Sequence, residues 1–153
     1  MEQAMQVFMD YAAAFEETYV DDDWSRLAPF FSKDATYEVR GGPLACKLEG
    51  PEAIFAGMKK SIDTLDRRCS ERKIDLLEAP QVTTTDAGQE LSVGWHIDYQ
   101  YGDAPRAGFD GRSVATVANG VIVALRDEYT EEEMANFGAW MQEHGEGLGG
   151  AYV

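Results

Sequence analysis

The sequence predicts an α+β fold in which helices cover one face of a curved sheet. Three observations carry this. Apolar residues recur at three- or four-residue steps near the start of the chain and again after Pro51. Alternation with a period of two dominates residues 73–130. Asn119-Gly120 separates two of the alternating runs, which is the signal of a two-residue hairpin.

Residues 4–20 read as a helix, because Met5, Phe8, Ala12, Phe15 and Tyr19 fall on one face with Tyr11 beside them. Asp21, Asp22 and Asp23 follow, and carboxylates suit the positive end of a helix dipole. They introduce a short second helix, WSRLAPFF, which Pro29 keeps short. DATYEVR (34–40) predicts a strand, and GGPLACKLEG (41–50) a loop rich in turn residues. PEAIFAGMKKSIDTLDRR (51–68) predicts a helix, with Pro51 in the first turn and a buried stripe of Ile54, Phe55, Met58, Ile62 and Leu65. KIDLLEAPQVTTT (73–85) reads as one strand bulged at Pro80, DAGQ as a turn, and ELSVGWHIDYQYG (90–102) as a second long strand. GFDGRSVATVANG (108–120) and VIVALRDEYT (121–130) complete the run. A closing helix covers about 130–144, with Thr130 as its cap and Glu133 at capping-box spacing. The glycine-rich end, 145–150, reads as a loose tail or as a segment laid against a partner. The whole chain, 1–153, reads as one domain.

A chain of 153 residues can bury roughly 70% of the surface its unfolded form exposes. Its 28 acidic and 13 basic residues give a net charge of −15, which argues against nucleic acid and anionic membranes as partners. No apolar run approaches the ~20 residues that span a bilayer. MEQAMQVFMDY lacks the basic start and apolar core of a secretion signal, so a cytoplasmic location is expected. Cys46 and Cys69 form no C-x-x-C pair, and two histidines leave little for a metal site; no metal and no cofactor is expected.

The stretch VGWHIDY (93–99) places His96 and Asp98 on the same face of a strand. Periodicity alone assigns Leu91, Val93, Trp95, Ile97 and Tyr99 to the core and leaves His96 and Asp98 in solvent. In VIVALRDEYT, one parity holds Val121, Val123, Leu125, Asp127 and Tyr129, while the other holds Arg126 and Glu128. Asp127 is then the polar end of an apolar inner face.

Three phrases carry a resemblance: DDDWSRLAPFFSKDATYEV (21–39), GPEAIFAGM (50–58) and ALRDEY (124–129). Over residues 4–130 the chain resembles the nuclear transport factor 2-like superfamily. That group includes ketosteroid isomerase, scytalone dehydratase, limonene epoxide hydrolase and SnoaL-type polyketide cyclases. The resemblance implies a cone-shaped mixed or antiparallel sheet wrapped around helices, with an internal pocket in a single SnoaL-like domain. It also implies that both faces of a strand can be covered, so His96 and Asp98 are expected to turn inward.

Residue by residue, the arginine–aspartate pair of limonene epoxide hydrolase falls at His96 and Asp98, its last-strand aspartate at Asp127 and its tyrosine at Tyr37. Its water-holding asparagine falls at Val39, and histidine lacks the two-pronged grip of arginine. The carboxylates of ketosteroid isomerase fall at Val39 and near Ser113, and scytalone dehydratase needs a second pocket histidine. The expected chemistry is therefore general acid–base catalysis of cyclase, isomerase or hydrolase type on a small apolar molecule. Asp127 is the proton acceptor, His96 and Asp98 orient it or protonate a leaving oxygen, and Tyr37 donates to a developing oxyanion. Tyr11, Phe15, Trp24, Phe31, Ser113 and Tyr129 are the expected ligand contacts. Two other readings stand beside it: a non-catalytic cup for a small hydrophobic ligand, and a homodimeric scaffold paired through Trp95, Ile97 and Tyr99.

Overall fold

Burial of the apolar stripes decides where each helix lies. The computed structural model describes residues 2–153. Helix α1 (Glu2–Asp21) packs Phe8, Tyr11 and Ala14 onto the sheet. Asp23 caps a 3₁₀ turn, Trp24–Phe30, by accepting from the backbone N–H of Ser25 at 3.2 Å. The chain continues into β1 (Phe31–Arg40), β2 (Cys46–Glu49) and α2 (Pro51–Thr64). Then come β3 (Glu71–Leu76), β4 (Gln81–Thr85), β5 (Gly88–Gln100), β6 (Ala107–Ala118), β7 (Val121–Glu128) and α3 (Glu131–His144).

The predicted α+β fold holds, with three local differences. The expected 41–50 loop contains β2, which pairs antiparallel with β1. The expected 73–85 strand is two strands, because the segment around Pro80, which has no N–H for the ladder, separates β3 from β4. Both still pair with β5. The expected 51–68 helix ends at Thr64, and Asp66–Arg68 forms a separate 3₁₀ turn. Asn119 and Gly120 both take positive φ, +53° and +81°, as a tight hairpin between β6 and β7 demands.

The sheet is mixed, in the order β2-β1-β7-β6-β5-β3, with β4 also beside β5. Strands β1 and β7 run parallel, and the other described pairs are antiparallel. This register sets Val39 against Asp127 on one side of β7 and Ser113 against Asp127 on the other. Tyr37, two residues before Val39, shares its face. α2 packs on β1, α1 on β5 and β6, and α3 on β6, so all three helices help enclose the site.

The glycine-rich end is fixed rather than loose. Gly147 and Gly150 take φ of +88° and +111°, which glycine adopts without strain. The backbone N–H groups of Gly149 and Gly150 donate to Thr64 O and Oγ1, each at 2.8 Å, and Ser61 Oγ donates to Gly150 O at 2.6 Å. No described helix is long and apolar enough to cross a membrane.

Candidate active site

Between the inner sheet face and the helices lies a cavity of about 380 Å³ with a mainly apolar lining. Of the expected ligand contacts, Tyr11, Phe15, Ser113 and Tyr129 line it. Trp24 and Phe31 do not. Phe31 is packed in the core against Tyr11 and Phe55, and Trp24 meets Phe15 edge-on and Phe55 at a tilt while its Nε1 donates to Asp22 Oδ1 at 2.8 Å.

Asp127 sits on the cavity wall and accepts two hydroxyl protons. Tyr37 Oη donates to Oδ2 at 2.5 Å, and Ser113 Oγ donates to Oδ1 at 2.6 Å. Trp95 Nε1 donates in turn to Ser113 Oγ at 2.9 Å, which fixes the serine. Among the described residues no cation pairs with Asp127. Burial raises its pKa, against the two hydroxyl bonds, which favour the ionised form. Burial and the neighbouring Asp127 charge likewise push the Tyr37 hydroxyl up.

His96 and Asp98 do not join this group. Strand β5 turns Val93, Trp95, Ile97 and Tyr99 into the cavity, and the opposite parity faces outward. The simple alternation thus prevails over the inward orientation expected from the resemblance, because five apolar side chains on one parity outweigh two polar ones. On the outer face His96 Nδ1 lies 2.7 Å from Asp110 Oδ1, and Nε2 lies 3.2 Å from Asp98 Oδ2. The hydrogen bond to Asp110 raises the His96 pKa, against partial desolvation. The same inward turn removes Trp95, Ile97 and Tyr99 from any outer pairing surface.

Two features of the cavity go beyond the sequence reading. One is an ionic cluster. Arg72 Nε donates to Asp66 Oδ2 at 2.7 Å, its Nη1 donates to Glu16 Oε1 at 2.8 Å, and Tyr99 Oη donates to the same Asp66 oxygen at 3.2 Å. Asp66 and Arg72 are both buried, each with a side chain only 8% exposed. Burial raises the Asp66 pKa, and Arg72 opposes it. The other is Tyr152, carried in by the tail, whose ring lies 5.7 Å from that of Tyr37. Burial and the Asp127 charge push its hydroxyl up to about 12, while the hydroxyls of Tyr37 and Ser61 beside it oppose the rise.

A mixed seven-stranded sheet with helices over its inner face and a cavity between them makes a nuclear transport factor 2-like fold. No protein-family model and no curated protein matches the chain. Solved structures do. The chain is similar to a nuclear transport factor 2-like protein from Burkholderia xenovorans LB400, with 18% identity over 88% of this chain and 95% of that one, at a TM-score of 0.62. It is similar to a candidate polyketide cyclase from Xanthomonas campestris pv. campestris, with 18% identity over 86% and 96%, at a TM-score of 0.53. It is also similar to a candidate isomerase from Bacillus subtilis, with 19% identity over 90% and 94%, at a TM-score of 0.59. Such identities establish the fold, and the chemistry has to come from the site itself.

Proposed function

We propose that the protein is a general acid–base enzyme of isomerase, cyclase or hydrolase type, acting on a small, mostly apolar substrate held in the internal cavity. The observation that carries this reading is Asp127: a carboxyl group in a largely apolar cavity, held only by neutral hydroxyl donors and with a raised pKa. In an isomerase-type step the Asp127 carboxylate takes a proton from a carbon next to a carbonyl, and the C–H electron pair moves to the carbonyl oxygen as an enolate. Asp127, now a carboxylic acid, returns the proton at another carbon. In a cyclase the enolate carbon attacks a carbonyl carbon of the same molecule, the C=O π pair of that carbonyl moves to its oxygen, and Asp127 returns its proton there. Tyr37 and Ser113 hold the two carboxyl oxygens through the cycle. The similar candidate cyclase and candidate isomerase agree with this class of chemistry.

The test is a panel of enones, polyketide-like ketones and epoxides incubated with the protein and its Asp127→Asn variant. Turnover that the variant loses supports the reading. Turnover that survives in the variant removes Asp127 from the chemistry. Saturable binding without turnover favours the second reading, a non-catalytic binding protein. The aromatic and aliphatic lining of the cavity favours that alternative.

In the same proposal the protein works in the cytoplasm, which suits two free cysteines, Cys46 and Cys69, and it pairs with a second copy across the outer sheet face. That pairing would rest on Thr116, Ala124 and the charged rim around Arg40 and Arg126 rather than on Trp95. Sedimentation at equilibrium separates monomer from dimer.

A further inference from the structure

We propose that Tyr152 is a catalytic residue that donates a hydrogen bond to the substrate's carbonyl oxygen, and that residues 145–153 form a strap that holds it in the cavity. This inference rests on the reading of Asp127 as the proton-transfer group and assigns the partner that such a group needs.

A hydroxyl has one proton to donate. Tyr37 donates its one hydrogen bond to Asp127 Oδ2, and Ser113 donates its one to Asp127 Oδ1. The sequence suggests Tyr37 as the oxyanion donor, but in the structure its proton is already committed. A carbonyl that gains charge beside Asp127 therefore needs another donor. Tyr152 lines the cavity, packs its ring against Tyr37 and feels the Asp127 charge directly. Its hydroxyl, pushed up to about 12, stays protonated through the neutral range. Tyr152 keeps its O–H bond throughout: it contributes a hydrogen bond to the enolate oxygen, and the transferred proton moves only between carbon and Asp127.

The strap explains how a residue so near the end of the chain reaches the site. Arg68 Nη1 donates to Gly147 O at 2.7 Å, Tyr101 Oη to Glu146 O at 2.6 Å and Lys60 Nζ to Val153 O at 2.6 Å, in addition to the Ser61 and Thr64 bonds. Gly57 of α2 makes room: a Cβ there would meet the Tyr152 carbonyl oxygen at 3.1 Å. The substrate class that follows is a small apolar ketone or enone, since that carbonyl is what a neutral phenol beside a carboxylate recognises.

The experiment uses a small apolar ketone, 6-propionyl-2-(dimethylamino)naphthalene, bound to the full chain, with its carbonyl stretch read by infrared difference spectroscopy. In the wild type and in Tyr37→Phe the stretch falls to lower frequency, as for a hydrogen-bonded carbonyl. In Tyr152→Phe the fall disappears and binding weakens about tenfold, the worth of one such bond. Ser61→Ala combined with Thr64→Val, which frees the strap, reproduces the Tyr152→Phe result. A lowered stretch that persists in Tyr152→Phe, or that is absent from the wild type, overturns the assignment. None of these readings requires proton transfer, so a failure of Asp127 as the base shows up separately, as proton exchange at the ketone's α-carbon that Asp127→Asn leaves unchanged.

Discussion

Replacing Asp127 with Asn should abolish the chemistry and make the protein more stable. When ionised, Asp127 is a half-buried charge with no cation beside it among the described residues, and holding an ion partly out of water costs up to several kcal/mol even after relaxation. Two hydroxyl bonds to the carboxylate return about 1.5–3 kcal/mol each. The raised pKa of Asp127 indicates that burial outweighs them. Asn keeps the shape and keeps an acceptor for Tyr37. It also reverses the Ser113 contact, at a cost of about 1 kcal/mol, and removes the charge. The net expectation is a gain of about 1–3 kcal/mol, at roughly 2–4 °C per kcal/mol for a chain of this size. The pH dependence follows from linkage. The folded state holds the Asp127 proton more tightly than the unfolded chain does. Its contribution is therefore most favourable below the unfolded value of about 3.9 and declines as the pH rises through the raised folded value. Urea melts of wild type and variant across that window isolate the term by subtraction, because every other carboxylate is common to both. Turnover should fall by about 10²–10⁴ at the same time. A variant that is less stable than wild type at pH 7, or whose stability follows the same pH curve, refutes the idea of an uncompensated, half-buried carboxylate.

Other substitutions probe the surroundings. Arg72→Met leaves Asp66 buried without its cation and should cost about 3–5 kcal/mol in a urea melt, with part of the loss recovered in the double variant Arg72→Met, Asp66→Asn; a loss below 1 kcal/mol would mean that the pair is solvated. His96→Gln should leave turnover and ligand binding unchanged, and the imidazole should titrate by NMR above about 6.5; a large loss of activity would return His96 to the site. Because the folded pKa is raised, the small stabilisation from charged His96 is complete below about 6.5 and is lost as the pH climbs through the folded value. Gly111→Ala pushes a methyl group to within 2.6 Å of the Trp95 ring and 2.8 Å of the Tyr129 ring. It should cost about 1–3 kcal/mol by overpacking and should weaken ligand binding, both of which an equilibrium melt and a titration would show.

Elements whose signal is local were legible in the sequence. The stripe of α2 and the Asn119-Gly120 turn depend on a few neighbouring residues, and the structure has them. The inward parity of Leu125 and Asp127 could be read because Arg126 and Glu128, on the other parity, are an obvious solvent pair. The orientation of β5 is also legible, in the run of alternate apolar residues from Leu91 to Tyr99, whose burial outweighs the family correspondence at His96 and Asp98. Features that depend on distant partners were not legible. Strand β2 exists because β1 offers it an edge, not because CKLE alternates strongly. The Asp66–Arg72 pair joins a turn to an edge strand, and Tyr152 reaches the cavity only because Thr64 and Ser61 pin the glycines before it. No spacing within 145–153 encodes that docking.

The two acids that line the cavity, buried Asp66 and half-buried Asp127, differ in their partners, and that difference separates their roles. Burial raises the pKa of both. Asp66 is tied to Arg72, so a proton arriving on Asp66 strands a buried guanidinium whose other carboxylate partner among the described residues is Glu16. Changing its charge breaks an ion pair, which is a large penalty. Asp127 is held by Tyr37 and Ser113, neutral hydroxyls that can go on donating to the carboxyl oxygens whether or not it carries a proton. Taking up a proton there strands nothing. A group used in a catalytic cycle has to occupy both protonation states at similar cost, and of these two acids only Asp127 is built to do so.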